Sequence, residues 1–283
     1  MQNYHKTRAI IIAVPHTSLL PKLYILITNA SALFLIFTPR HPKFGYPLHL
    51  FTMLLHQLIE GIAHLFYPHI CEGCSKQLVT NEQILCISCA SLLPETNNYK
   101  IPDNETGLRF AGRVPYRYAA TYAYFTDDGL LQHLLHRLKY AGKQEIGTYL
   151  GKKFGQNLKD AAWINEIDAI IPVPLHPDKL AKRGFNQTML LGQGMAQSIG
   201  IDMMTDVLIR TRNTESQTSK SRSERVENMA GAFRITQKQR IEGKHILLID
   251  DVLTTGATLE ACALALMEAK GVAISIATIG IAV

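Results

Sequence analysis

Two adjacent acids, followed within a few residues by hydroxyls and a glycine, are the groups in this chain that point most directly to chemistry. They lie in Ile246 to Leu259, ILLIDDVLTTGATL. Ile246 to Ile249 is a short, wholly apolar run of the kind that forms a buried parallel strand. Asp250 and Asp251 then emerge at its carboxyl end, where open α/β sheets bind ligands. Thr254, Thr255, Gly256, Ala257 and Thr258 supply small side chains, hydroxyl donors and a permissive glycine ahead of a helical pattern over Leu259 to Lys270. Such a turn can hold a phosphate on backbone N–H groups at a helix N-terminus. Like charges repel, so the acids are suited to accept hydrogen bonds from neutral hydroxyls beside the phosphate, and a ribose 5-phosphate satisfies both halves. The competing reading is a strand, turn and helix with acids at the strand end by chance. The combination in one uninterrupted run weighs against it.

A second constellation is Cys71-x-x-Cys74, eleven residues, then Cys86-x-x-Cys89. Two such pairs can give four thiolates to one tetrahedral ion, and a structural Zn²⁺ is preferred over disulfides or free thiols. All four positions are filled, so the site is assigned no catalysis. Cys262 stands alone on the apolar face of the last helical pattern and reads as core. His133 and His136, three apart on a helical pattern, lack a third partner and read as a solvated face.

A third stretch is basic. The apolar strand Ala169 to Val173 runs out into PVPLHP, whose prolines stop the sheet ladder. Lys179 to Gln187, KLAKRGFNQ, then places Lys182, Arg183 and Gly184 before a helix over Gln187 to Ile199. Cations there suit an anion, and a plain basic surface turn remains the alternative. Gly192-x-Gly194 lacks the rest of a dinucleotide fingerprint and is set aside. The polar run TRNTESQTSKSRSERVEN carries Arg212, Lys220, Arg222 and Arg225 and reads as mobile and phosphate-seeking.

Around these, strands alternate with helices, which predicts an α/β fold with a mostly parallel sheet flanked by helices. The 283 residues, 47% hydrophobic and 18% charged, suit one α/β core plus a small accessory module, and the net charge of +6 suits either a polyanionic small molecule or nucleic acid. No G-x-x-x-x-G-K-[ST] occurs, which argues against a nucleoside triphosphatase. Four units are drawn: a discordant extension over 1–52, a helix plus four-cysteine module over 53–91, a linker over 92–115 and the α/β domain over 116–283. The extension has no acid, and its stretch Leu23 to Thr38 is the one membrane candidate, short of the ~20 apolar residues that a span needs. A weak anchor, a signal-like segment and a misassigned start codon stay open, with the last preferred. The paired cysteines place the protein in the cytoplasm, with no firm membrane association.

The run from Ile246 resembles the 5-phosphoribosyl-1-pyrophosphate (PRPP) motif of type I phosphoribosyltransferases. Four further pieces resemble the ComF competence-protein family: the cysteine module, LKYAGK, PVPLHPDKLAKRGFNQ, and R-x-x-N-x-x-GAF from Arg225 to Phe233. The likeness covers roughly Leu65 to the C-terminus. It implies a type I phosphoribosyltransferase-like fold with a zinc-ribbon-like module, and PRPP taken with Mg²⁺. In that family the paired acids, here Asp250 and Asp251, hold the ribose hydroxyls, and Thr254 to Thr258 hold the 5-phosphate. Val173, Pro174, Leu175 and His176 would form the pyrophosphate loop, with Arg183 beside it, and Arg212 to Arg225 a flexible catalytic loop. It also implies a link to DNA uptake. Single-stranded DNA along Lys182, Arg183, Arg212, Lys220, Arg222 and Arg225, with Phe185 the main aromatic among them, and proteins of the competence machinery are the partners expected.

Overall fold

The computed structural model describes residues 69–212 and 231–283 in full and, before them, the backbone of three strands. The chain separates into two compact units, Met1–Tyr67 and Pro68–Val283. In the first, β1 (Ile10–Ala13), β2 (Leu23–Thr28) and β3 (Ala32–Phe37) form an antiparallel sheet in that order. The membrane candidate is thus two paired strands, its β-branched residues favouring the extended chain. No helix among the described residues is long and apolar enough to cross a membrane. The helix expected from Met53 lies outside them.

The second unit is built on a four-stranded parallel sheet of β4 (Ala119–Phe125), β5 (Ala169–Pro172), β8 (His245–Leu253) and β9 (Ala273–Ala282), in the order β4-β9-β8-β5. Both faces are covered, so the two-residue period of the strands sorts their side chains between two cores. Leu247 and Ile249 join one core with α3 (Leu130–Tyr140), α4 (Gln144–Leu158) and α6 (Gln187–Ile199). Ile246 and Leu248 join the other with α7 (Ala257–Leu266) and the antiparallel pair β6 (Leu208–Arg210) and β7 (Phe233–Ile235). A short helix, α5 (Pro177–Arg183), lies inside the basic loop.

Glycines bring α4 and α6 into backbone contact. A Cβ on Gly151 would sit 2.0 Å from the Leu191 carbonyl oxygen, and one on Gly194 would sit 2.2 Å from that of Thr148. A Cβ on Gly192 would meet Ile249 Cδ1 at 2.6 Å, so the glycine pair set aside in the sequence serves close packing.

The cysteine module, with α1 (Ile87–Ala90), belongs to this unit: Cys71, Leu78, Leu85 and Cys89 join the core that α3 and α4 line. Residues 92–115, expected as a linker, do connect the module to β4, but they are built in. They contain α2 (Glu105–Leu108), capped by Asn104, whose amide also donates to Ala119 O at 2.8 Å. Asn98 Nδ2 bonds Thr106 Oγ1 at 2.9 Å, Thr106 Oγ1 meets Thr121 Oγ1 at 2.8 Å, and Thr121 Oγ1 meets Thr278 Oγ1 at 2.7 Å. The Asn and Thr residues that read as loop composition therefore satisfy one another where they are buried.

Both edges of the sheet are covered. On β4, Thr96 N donates to Tyr122 O and Tyr124 N to Pro94 O, each at 2.9 Å, around an antiparallel bridge of Glu95 with Ala123. On β5, Ile170 N donates to Asp202 O at 2.9 Å and Met204 N to Ile170 O at 2.8 Å.

Overpacking a tight core costs about 1–3 kcal/mol, and the α4–α6 contact cannot part without opening the core beneath it. Gly151→Val is expected to destabilise the protein at the top of that range or above, read as a lower urea midpoint. An unchanged midpoint would show that the helices can separate freely.

Candidate functional site

The pleat of β8 starts its two acids towards opposite faces, yet their carboxyl groups stay within reach of each other. Asp251 leaves on the α3–α6 side, where its Oδ2 meets Lys139 Nζ at 2.5 Å and accepts from Gln187 Nε2 at 3.2 Å. Asp250 leaves on the α7 side, within electrostatic reach of Arg210 on β6 and of the buried Cys262 thiol. Its Oδ1 accepts from the Asp251 N–H at 2.8 Å, and Asp251 Oδ1 accepts from the Val252 N–H at 2.7 Å. Burial, and then the charge of Asp251, pushes the Asp250 carboxyl up to about 8. Burial works against the Asp251 charge too, but the Lys139 ammonium outweighs it and holds that carboxyl below its usual range. Lys139 in turn is disfavoured by burial and held above its ordinary value by Asp251. One acid is therefore ionised with its counterion, and the other keeps its proton near neutrality.

The turn after the acids is tight. Gly256 has a φ of 79°, the left-handed region, and a Cβ there would press on the Phe110 ring at 2.9 Å. Gly256 gives α7 no capping side chain, so the helix start keeps its capacity for an anionic ligand. Arg113 fixes the turn from behind, donating to Thr255 O at 2.8 Å and ion-pairing with Glu260. Thr254 is exposed, and Thr255 and Thr258 are half-buried.

The exit of β5 adjoins the acids, because Pro172 pairs in register with Ile249. Val173 O accepts from Asn186 Nδ2 at 3.0 Å and from Thr188 Oγ1 at 2.6 Å, so the Asn186 cap of α6 also anchors the strand exit. Pro174 and Leu175 follow half-buried, and His176 caps α5, accepting from Asp178 N at 3.3 Å. Arg183 bonds Gln187 Oε1 and lies over the Tyr140 ring, which links it to Asp251 through Gln187. Lys182 is exposed beside it. Arg212 follows β6, whereas Lys220, Arg222 and Arg225 lie outside the described residues. Lys139 and Gln187 carry the acids' polar environment and were not singled out in the sequence. Lys139 follows the buried Leu131, Leu134, Leu135 and Leu138 of α3, a border position from which a long side chain reaches the sheet end.

The four cysteines form the second centre. All are reduced, their sulfurs lie within 4.8 Å of one another, and Cys74 and Cys86 sulfurs are 3.7 Å apart. Zn–S bonds of about 2.3 Å at tetrahedral angles need a sulfur separation of about 3.8 Å, so the donors fit that ion. Cys71 Sγ accepts from the N–H of Cys86 at 3.3 Å and of Gly73 at 3.4 Å. Burial raises the Cys71 thiol, but these backbone donors outweigh it and bring it down to about 6; burial pushes Cys89 up. His133, read as solvated, has Nε2 3.0 Å from Glu72 O of the first knuckle, and His136 lies against the Tyr140 ring. Cys262 is buried in the core as expected.

A cavity of about 400 Å³ opens at the amino-terminal end of β4, beside Tyr99, Tyr116, Tyr118 and Trp163. The Tyr118 ring there is stacked against both Trp163 and His245, and the acids lie at the far end of the sheet.

The family described as "Phosphoribosyl transferase domain" matches residues 187–283. "DNA utilization protein YhgH" of Escherichia coli (strain K12) is 29% identical over 210 residues, covering 73% of this chain and 88% of that protein. "Competence protein F" of Haemophilus influenzae is 31% identical over 204 residues, covering 71% and 85%. "Competence protein ComFC" of Bacillus subtilis is 31% identical over 154 residues, covering 54% and 60%. With its phosphoribosyltransferase-type sheet, its four-cysteine cluster and these relatives, the chain belongs to the ComF competence-protein family.

Proposed function

We propose that this protein binds PRPP at the carboxyl end of β8 and transfers its phosphoribosyl group with release of pyrophosphate. The observation that carries the reading is the paired acids, one ionised on Lys139, directly ahead of the Gly256 turn into α7. Asp250 and Asp251 accept hydrogen bonds from the ribose hydroxyls, and Thr254, Thr255, Gly256, Ala257 and Thr258 hold the 5-phosphate. Val173 to His176 and Arg183 receive the pyrophosphate, and Arg212 with Arg225 covers it. Charge handling is the main task, because departure of pyrophosphate leaves an oxocarbenium-like ribose. A Mg²⁺ bound with PRPP, for which paired carboxylates and phosphate oxygens are the usual donors, supplies further neutralisation. We assign the cysteine cluster a structural Zn²⁺ and place the protein in the cytoplasm, where such thiols stay reduced. The relatives' names support a link of the chain itself to competence and DNA utilization.

A second reading is a PRPP-sensing module that binds single-stranded DNA without turnover. Its support is the relatives' names and the exposed Lys182; Arg183 is already engaged with Gln187 and Tyr140. Residues 1–52 lie outside both readings, and a chain starting at Met53 is expected to fold and bind PRPP normally.

Charge-assisted hydrogen bonds are worth about 1.5–3 kcal/mol. Asp250→Asn with Asp251→Asn is thus expected to weaken PRPP binding at least tenfold by calorimetry, and equal affinity would remove the assignment. The raised Asp250 carboxyl means that the folded, ligand-free state holds a proton that the unfolded chain has released. Stability is therefore lost as pH rises from the usual carboxylate range to about 8. Asp250→Asn alone should raise the melting temperature relative to wild type more at pH 9 than at pH 6, and a pH-independent difference contradicts the assigned protonation.

Metal analysis of reduced protein should find about one zinc per chain, lost on Cys71→Ser together with stability of the module. Metal-free protein that melts normally would defeat the zinc assignment. For DNA, log affinity should fall against log salt by about 0.7 for each phosphate contact. A flat salt series, or no binding, leaves the transferase reading alone.

A further inference from the structure

We propose that Glu72, the residue between the first two cysteines, is a positioning residue for the PRPP site: it clamps the corner between α3 and α4 and so holds Lys139 on Asp251. The proposal rests on the reading of Asp250 and Asp251 as the PRPP acids.

Glu72 has no place among the metal donors, yet its side chain is only 6% exposed, unusual for a carboxylate unless its charge is met. Two cations pair with it. Glu72 Oε2 lies 2.8 Å from Arg137 Nη2, an ion pair in which no N–H is aimed at the oxygen, and Oε1 lies 3.1 Å from Lys143 Nζ. Arg137 stands in the last turn of α3, and Lys143 is the N-cap position of α4. Between them the chain turns through Gly142, whose φ is 68°. One buried carboxylate therefore bridges both sides of the corner. The backbone of the same residue takes part, since Glu72 N donates to Ile84 O at 2.9 Å and Glu72 O meets His133 Nε2 at 3.0 Å. Gly73 keeps the knuckle close: a Cβ there would meet Leu130 Cδ1 and Cys89 Sγ, both at 3.0 Å.

Lys139 lies two residues beyond Arg137, which on a helix is about 200° of rotation. Arg137 consequently faces the knuckle while Lys139 faces the sheet end, where its ammonium reaches Asp251 at 2.5 Å. Leu134, Leu135 and Leu138 hold the body of the helix in the core, so the clamp acts on its last turn, from which Lys139 extends. Fixing Arg137 and Lys143 thus fixes the direction from which Lys139 approaches the acid. Without the clamp Arg137 and Lys143 can turn to water, the corner loosens, and Lys139 samples other positions. Asp251 then spends part of its time without its counterion, next to Asp250 and facing a polyanionic ligand.

The test is a double-mutant cycle on the full chain, with Mg²⁺–PRPP affinity measured by calorimetry and zinc content measured for every variant. Lys139→Met is expected to weaken PRPP by about tenfold or more. Glu72→Gln is expected to keep its zinc, melt cooperatively and weaken PRPP by about threefold to tenfold. In the Lys139→Met background, Glu72→Gln should change the affinity by less than about twofold, because the group it acts through is gone. A role confined to module stability would weaken both backgrounds equally, and that result overturns the proposal, as does unchanged affinity in Glu72→Gln. Should Glu72→Gln not fold, Lys143→Gln removes one arm of the clamp and enters the same cycle with the same expected silence. Wild-type protein that does not bind PRPP at all removes the site reading itself, a different outcome from wild-type binding with an additive cycle.

Discussion

The constraint on which this structure turns is that two carboxylates stand side by side at the end of a buried strand. Neighbouring like charges in a low-dielectric setting cannot both ionise without help. The first part of the answer is a retained proton: burial, and then the charge of Asp251, keeps the Asp250 carboxyl protonated near neutrality. The second part is an ammonium from a different element: Lys139 of α3 meets Asp251, and Gln187 of α6 completes its hydrogen bonding. Helices on that face must therefore be placed to within hydrogen-bonding tolerance, and the packing beneath them is organised to do so.

That packing works by removing side chains as much as by interlocking them. Gly147, Gly151 and Gly155 recur every four residues along α4 and let α6 lie against its backbone. The register of α6 is fixed in this way, and with it the Asn186 and Thr188 contacts that hold the strand exit at Val173. The cysteine module adds a third support, since its own apolar residues continue the core that α3 and α4 line.

Most of the sheet was legible, because buried parallel strands leave apolar runs and amphipathic helices leave a periodic stripe. Ile246 to Ile249, Ala169 to Val173 and the helix from Gln187 all fall where their patterns put them. The acids and the Gly256 turn were legible for the same reason, being contiguous. Lys139 was marked only as part of LKYAGK and given no role, because that role depends on a contact with Asp251, more than a hundred residues away in sequence. Glu72 was obscured by its neighbours, since metal spacing draws attention to the cysteines and away from the residue between them. The stretch over 92–115 was misleading in composition: Asn signals loops because it bonds backbone groups, and here Asn98 and Asn104 do so against β4 itself.

A four-stranded parallel sheet is small, and its two outer strands would ordinarily offer open rows of amide and carbonyl groups to any passing chain. Here Pro94 to Thr96 and Asp202 to Met204 each seal a stretch of one border with a pair of hydrogen bonds. The segment preceding β4 is consequently a guard against self-association as much as a connector. A fragment trimmed back to β4 would keep the acids and the Gly256 turn yet present the β4 border bare, a template for neighbouring copies at the concentrations where proteins are handled.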